Sequence, residues 1–304
     1  MDTSTYDVAV VGGGAAGLSA ALVLGRARRR VVVIDAGEPR NAPASHMHGY
    51  LSRDGLPPAE LLRLGRVEAG GYGVELIAGR VVSAEPGFSL RLADGGTVAA
   101  RRLLIAAGAS DEVPQVEGAR ERWGQDFLHC PYCHGWEVRD EALGVLATGP
   151  GSVEHAELIR QWSSDLVFFT HTSGLGDDER SRLEALGIRI IDGEVRMLVV
   201  EGDRLRGVAL ADGSVIERTA VFIRPAMRPN AVGLIEQLGC ELTDAGFVLV
   251  DEGGRTSAAG VWAAGNVANP RAQVITAAGE GSAAAIAINA DLVEEDARRG
   301  NTDR

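Results

Sequence analysis

The sequence predicts an α/β protein of two Rossmann-like, three-layer ββα nucleotide-binding domains, the second inserted into the first. Three observations predict it. A strand, a glycine turn and a helix open the chain between Tyr6 and Gly25. A weaker copy of that pattern recurs between Leu143 and Trp162, and an apolar strand with a small-residue helix closes the chain between Gly260 and Ala290. Short apolar runs alternating with helical segments indicate a parallel sheet covered by helices. On this reading residues 1–113 and 231–304 form a discontinuous outer domain, and residues 114–230 the inserted one. A length of 304 residues suits two domains.

Tyr6–Val11 is an apolar strand, followed by Gly12-Gly13-Gly14-Ala15-Ala16-Gly17 and an Ala/Leu-rich helix. The next buried strand, Val31–Ile34, ends at Asp35, 18 residues beyond Gly17. That context makes the glycine motif a dinucleotide-binding pattern. Gly12 makes the tight turn, Gly14 lets a pyrophosphate approach the backbone, and Gly17 permits close helix–strand packing. The helix N-terminus faces the phosphates with unpaired N–H groups, and Asp35 is an acceptor for an adenosine ribose. The motif alone leaves FAD and NAD both open.

Leu103-Leu104-Ile105-Ala106-Ala107-Gly108 is a further strand running into a small-residue turn. In the middle, Leu143–Ala147 reads as strand, Thr148–Ser152 as a Gly/Pro turn, Val153–Trp162 as helix and Leu166–Phe169 as strand. A more polar, β-rich stretch leads to Pro225 and Pro229. Gly260–Ala264 is a strand, Gly265-Asn266 a turn, and Ala272–Ala290 a helix. The Asp/Glu/Arg-rich residues after it are expected to fray.

A net charge of −12 argues against nucleic acid or an anionic membrane surface as partner. All 30 basic residues are arginine, from which no mechanism follows. Met1–Asp7 has no basic segment ahead of an apolar one, and no apolar run reaches spanning length, so the expected compartment is cytoplasmic. Three cysteines are too few for a disulfide scaffold, and in a cytosolic chain a CxxC is catalytic or metal-binding.

That CxxC is Cys130-Pro131-Tyr132-Cys133, within Phe127–Glu137. Two intervening residues let the sulfurs form or break a disulfide with little backbone motion. A helix start lowers a thiol's pKa, and the next residue, His134, is a candidate carrier for the proton that moves when a thiolate forms. Structural zinc needs two such pairs or a distant His pair, and this chain has one pair, so no metal is expected. A thioredoxin-like site lies early in a small domain, whereas this one joins two nucleotide-type units. His129 reads as structural and Cys240 as a core residue. Tyr132 and Trp136 are either mouth-lining or core.

These residues resemble the thioredoxin reductase family of flavoproteins over nearly the whole chain. The resemblance rests on Gly12–Gly17, Ala106–Gly108, the mid-chain CxxC, and Ala264-Gly265-Asn266 followed by Ala272–Gly281. It implies FAD as cofactor, a homodimer, catalytic Cys130, Cys133 and His134, Cys133 facing the flavin and Cys130 meeting the substrate. It implies cofactor contacts from Gly12, Gly14, Ala15, Ala16, Gly17, Asp35, Ala36, Arg40, Asn41, His48, Val81, Ala107, Gly108, Gly265, Asn266, Ala272, Gln273 and Val274. Asn266 stands where the family usually has Asp, and His134 where its reductases have Asp.

The second domain departs further. The family's second G-x-G-x-x-A reads Ala147-Thr148-Gly149-Pro150-Gly151-Ser152, with its first glycine gone and Pro150 removing a donor. The His-Arg-Arg that would grip a 2′-phosphate reads Thr170-His171-Thr172, and Asp177-Asp178-Glu179 adds negative charge nearby. Two readings stay open: nicotinamide binding by other contacts, or a domain kept as structure without it. The Cys-Pro-Tyr-Cys-His-Gly-Trp-Glu run, Arg40-Asn41-Ala42-Pro43 and His46-Met47-His48-Gly49 look most like the dithiol oxidases of microbial natural-product pathways, the holomycin and gliotoxin types. That resemblance implies a small-molecule dithiol as substrate and molecular oxygen as electron acceptor. The alternatives are an NAD(P)H- or ferredoxin-driven disulfide reductase and a non-catalytic FAD-binding redox sensor.

Overall fold

A computed structural model of the chain describes residues 6–85 and 87–302. Met1–Thr5, read above for a targeting segment, and Asp303 and Arg304, of the charged tail, lie outside them. The chain divides into two compact units, residues 1–42, 58–110 and 227–304, and residues 43–57 and 111–226.

The first unit begins with β1 (Tyr6–Val11), α1 (Ala15–Arg26), β2 (Val31–Asp35), α2 (Pro58–Gly70) and β3 (Glu75–Ala78). The strands β4 (Val81–Glu85), β5 (Ser89–Leu92) and β6 (Thr97–Ile105) follow as an antiparallel run. The strand β7 (Ala109–Asp111) leads out of this unit. It pairs with β16 (Met227–Pro229), which leads back to α6 (Val232–Gln237), β17 (Val261–Ala263) and α7 (Val274–Thr302). The parallel strands lie in the order β3-β2-β1-β6-β17.

Each inner strand is apolar on both faces because helices or further strands cover both. Val8, Val10 and Leu104 face one buried cluster, and Ala9, Leu103 and Ile105 the other. Against the first lies α1, whose Ala16, Ala20, Ala21 and Leu24 recur at helical spacing and are all buried. Burying Leu24 alone contributes about 2 kcal/mol.

The helix α7 is longer than the sequence indicates. It runs on through the charged tail to Thr302 instead of ending near Ala290. The acids there have fixed partners: Asp291 pairs with Arg102 and Arg255, Glu295 with Arg102 at 2.7 Å, and Asp296 with Arg29 at 2.8 Å and with Arg101. Those arginines lie far away in the sequence, so the pattern reads locally as a solvated end.

The second unit holds β8 (Phe127–Leu128), α3 (Pro131–His134), β9 (Leu143–Leu146), α4 (Ser152–Ile159), β10 (Leu166–Phe169), α5 (Asp177–Ala185) and β11 (Arg189–Ile191). An antiparallel meander of β12 (Val195–Glu201), β13 (Arg204–Leu210) and β14 (Val215–Glu217) precedes β15 (Ala220–Phe222). The parallel sheet has the order β11-β10-β9-β15-β8. Residues 43–57, which the sequence assigns to the outer domain, cluster here. Pro43 lies against Gly124, where a Cβ would come within 2.9 Å, and His48 lies 3.5 Å from Glu137.

Candidate active site

In the first unit the strand registers gather the nucleotide-type residues. Val11 is level with Ile34 and with Ile105, and Ile105 with Ala263. Gly12, Asp35, Ala106–Gly108 and Ala264–Gly265 therefore leave one sheet at one end, the carboxyl end, where such folds bind ligands. Gly12 has φ +107°, and a Cβ on it would lie 2.3 Å from the Ala106 carbonyl oxygen. A Cβ on Gly17 would lie 1.9 Å from the Gly12 carbonyl oxygen. A Cβ on Gly14 would meet nothing within 4 Å. Gly14 caps α1 without a side-chain hydrogen bond, so the first N–H groups keep their capacity for an anion.

Around this loop the side chains support one another. The Asp35 carboxylate accepts from Arg66 at 2.9 Å and from the Gly37 N–H at 3.3 Å. Asn266 donates through Nδ2 to the carbonyls of Asn269 and Ala272, both at 3.0 Å, and its Oδ1 accepts from Arg40 at 3.4 Å. The N–H of Gly265 donates to Glu280 at 3.0 Å, and the other Glu280 oxygen accepts from Asn269 at 2.6 Å. Asn230 donates to the Ala107 carbonyl, and its own N–H to that of Gly108, both at 2.9 Å. Gln273 and Val274 stand at the start of α7. Val81 points its side chain into the core, so it offers a ligand only backbone. For Ala36 and Asn41 the structure adds no partner that bears on the site.

Sequence reading misses four residues here. Gly13 packs against Asp35, where a Cβ would lie 2.7 Å from the carboxyl carbon. Arg66, Asn230 and Glu280 hold backbone or acid groups from distant segments; only Glu280, inside the Ala272–Gly281 run, carried a local clue.

In the second unit Cys130 and Cys133 form a disulfide with Cα atoms 5.2 Å apart. β8 delivers them to the carboxyl end of its sheet. Cys130 caps α3, Pro131 takes its first position, and the N–H groups of Cys133 and His134 both donate to the Cys130 carbonyl at 3.1 Å. The helix has only one turn, so its dipole acts on the thiols far less than that of a long helix. Burial pushes His134 below the ordinary imidazole value, the Glu137 charge raises it in part, and His48 lowers it further. Burial thus favours the neutral imidazole, the form that can take up a proton. Tyr132 and Trp136 are exposed and flank the pair, with Arg139 4.0 Å over the Trp136 ring. His129 stacks on Trp123 at 5.6 Å, and Cys240 is buried against Thr256. His48 clusters with this unit, with its ring nitrogens near Asp54 and Glu137.

At the nucleotide-type end of this second unit several side chains lie close to the loop. Arg224 lies on the Gly151 backbone, where a Cβ would fall 1.8 Å from its Nη1. Ser152 Oγ accepts from the Thr148 N–H at 3.3 Å and donates to the Gly149 carbonyl at 2.7 Å. Glu154, in the first turn of α4, is exposed and lies 3.4 Å from Arg182. His171 is turned inward, accepting from the Val195 N–H at 3.0 Å. Arg180 and Arg182 are paired with Asp192 and with Glu154 and Glu157.

A dinucleotide-type loop and a dithiol/disulfide pair on two Rossmann-like units define a nucleotide-cofactor disulfide oxidoreductase. The chain belongs to the pyridine nucleotide-disulphide oxidoreductase family, whose profile matches residues 6–281. Within it the chain is thioredoxin reductase-like and a flavoprotein with FAD as cofactor. It is 33% identical to "Thioredoxin reductase sirT" of Leptosphaeria maculans, over 94% of both chains. It is 31% identical to "Thioredoxin reductase tcpT" of Claviceps purpurea, over 88% of each. The crystal structure of HlmI superposes with a TM-score of 0.96 at 53% identity, covering 98% of this chain and 96% of that one. The open Gly14 backbone, the uncapped α1 and the aligned strand ends fit FAD in the first unit.

Proposed function

We propose that this chain is an FAD-dependent dithiol oxidase that closes an intramolecular disulfide in a small-molecule dithiol, with molecular oxygen as final acceptor and hydrogen peroxide as by-product. What carries the reading is the second unit's nucleotide end. Arg224 rests on the Gly151 backbone, the first glycine of the motif is Ala147, and Thr170–Thr172 lacks the arginine pair.

One substrate thiol loses its proton to His134, and its sulfur attacks Sγ of Cys130. The Cys130–Cys133 bond breaks, and its electron pair stays on Cys133. The second substrate thiol displaces Cys130 from the mixed disulfide. The product leaves with its sulfurs joined, and the pair has gained two electrons and two protons. When bound, FAD supplies the two-electron acceptor that re-forms the disulfide and the site at which oxygen is reduced. Oxygen is the stronger oxidant by a wide margin, at about 1.4 kcal/mol for every 30 mV in a two-electron step, so no nicotinamide is required.

Cys133→Ser tests the route. The variant should keep its FAD and lose flavin reduction by a small dithiol; unchanged bleaching refutes the assignment. The names of the two fungal relatives favour a second reading, a thioredoxin-type reductase running in the opposite direction.

A further inference from the structure

Phenylalanine, tyrosine and tryptophan make up only 5% of the chain, and among the described residues three of them are exposed: Tyr72, Tyr132 and Trp136. Tyr132, at 62%, and Trp136, at 66%, are the most open, and both belong to the redox segment. Tyr132 stands between the two cysteines. Gly135 keeps helical angles, so Trp136 follows Cys133 by about one turn. Rings of this size are costly to leave in water, and a pair of them beside a reactive bond marks where something binds.

Each ring is backed on one side. Tyr132 meets Trp162 edge-on, with centroids 5.6 Å apart and planes at 87°. Trp162 reaches α3 only because residue 135 is glycine: a Cβ there would lie 2.8 Å from Cδ1 and Nε1 of Trp162. The Arg139 guanidinium lies 4.0 Å over Trp136, and its Nη1 donates to the Trp136 carbonyl at 2.6 Å, which holds the cation in place. A ring gripped on one face has already lost rotamer freedom, so stacking on its open face costs little further ordering. The guanidinium also draws the indole π density toward itself. That makes the open face complementary to an electron-rich ring rather than to a second cation.

We infer that Tyr132 and Trp136 are specificity-determining residues that seat a planar π-ring of the substrate, so that the dithiol oxidised here is one carried on an aromatic or conjugated ring. The inference rests on the dithiol-oxidase reading and names the substrate class for it. The chemistry is unchanged. The substrate loses two S–H bonds and gains one S–S bond, while the Cys130–Cys133 bond breaks and takes up the two electrons and two protons. Stacking governs how often the dithiol is held beside the Cys130 sulfur and leaves the thiol exchange itself alone. A dithiol without a ring gains nothing from it.

Two probes of like reactivity isolate the ring. Dithiothreitol and ortho-bis(sulfanylmethyl)benzene both carry alkyl thiols and both close to a cyclic disulfide of the same ring size, but only the second has an aromatic ring. Oxidised holoenzyme is mixed anaerobically with each, and loss of the Cys130–Cys133 disulfide is read by acid quench, alkylation and mass spectrometry. The quantity compared is the ratio of the second-order rate constants, aromatic over open-chain. Trp136→Ala should lower that ratio about ten-fold, and Tyr132→Ala about three-fold or more. Trp136→Phe should keep it within about three-fold of wild type, whereas Trp136→Leu, which keeps apolar bulk without a π-face, should fall as Trp136→Ala does. A wild-type ratio in both alanine variants overturns the inference, and so does a wild-type ratio in Trp136→Leu. Either result leaves the oxidase reading standing. A wild-type disulfide that survives both dithiols overturns that reading, and the substrate class with it.

Discussion

Two glycines two residues apart in one helix carry opposite predictions. Gly281 is buried in α7 against α1, and a Cβ there would fall 2.0 Å from the Ala16 carbonyl oxygen and 2.9 Å from the Ala16 Cα. Gly279 is exposed in the same helix, and a Cβ there would meet nothing within 4 Å. Helix propensity alone favours alanine at either position by about 1 kcal/mol. At Gly279 that term acts unopposed, so Gly279→Ala should stabilise by about 0.5–1 kcal/mol and raise the Tm by about 2 °C. At Gly281 the obstacle is backbone, which has no rotamer to yield. To reach ordinary contact the helices must part by about 1.4 Å, which strips dispersion contacts all along their shared face. Overpacking costs about 1–3 kcal/mol where side chains give way, and this case lies at or beyond the top of that range. Net destabilisation by Gly281→Ala should exceed about 2 kcal/mol, a fall in Tm of about 4 °C or more. Because Ala16 lies in the glycine loop, FAD retention should fall too. Thermal unfolding of both variants with and without added FAD is the assay. A Gly281→Ala protein as stable as wild type would refute the packing argument.

His155 gives a pH dependence. Burial, then the charge of Arg224, push its pKa from 6.5 down to about 4, while the carbonyls of His129 and Ile223 offset part of that. The unfolded chain therefore takes up the proton first as pH falls. The stability is fully present above about 6.5, is lost as pH falls toward 4, and amounts to about 3 kcal/mol. His155→Gln should lose correspondingly less stability than wild type between pH 7 and 4.5 in thermal unfolding. Glu280→Ala removes the acceptors of the Gly265 N–H and of Asn269. With hydrogen bonds to a charged group contributing about 1.5–3 kcal/mol each, FAD retention should weaken about ten-fold or more, measured by flavin release on dilution.

The sequence makes both Rossmann-like units legible because their signals are local: a glycine turn between a strand and a helix, and alternating apolar runs. Val31–Asp35 and Leu166–Phe169 fall where the pattern puts them. The redox pair is equally local. What the sequence does not disclose depends on partners brought from afar. The acidic end of α7 stays helical because Arg29, Arg101 and Arg102 meet it. The meeting of His48 with Glu137, 89 positions later, has no local signal in the chain. The lost glycine at Ala147 was visible; the Arg224 that lies on the Gly151 backbone was not, since it belongs to no motif.

The central claim is the direction of electron flow, and anaerobic flavin absorbance tests it most directly. FAD-loaded protein is titrated side by side with NADPH, NADH and a small dithiol. Rapid bleaching of the flavin absorbance by the dithiol is predicted, and none by either nicotinamide. Rapid bleaching by NADPH or NADH would contradict it and return the chain to the reductases.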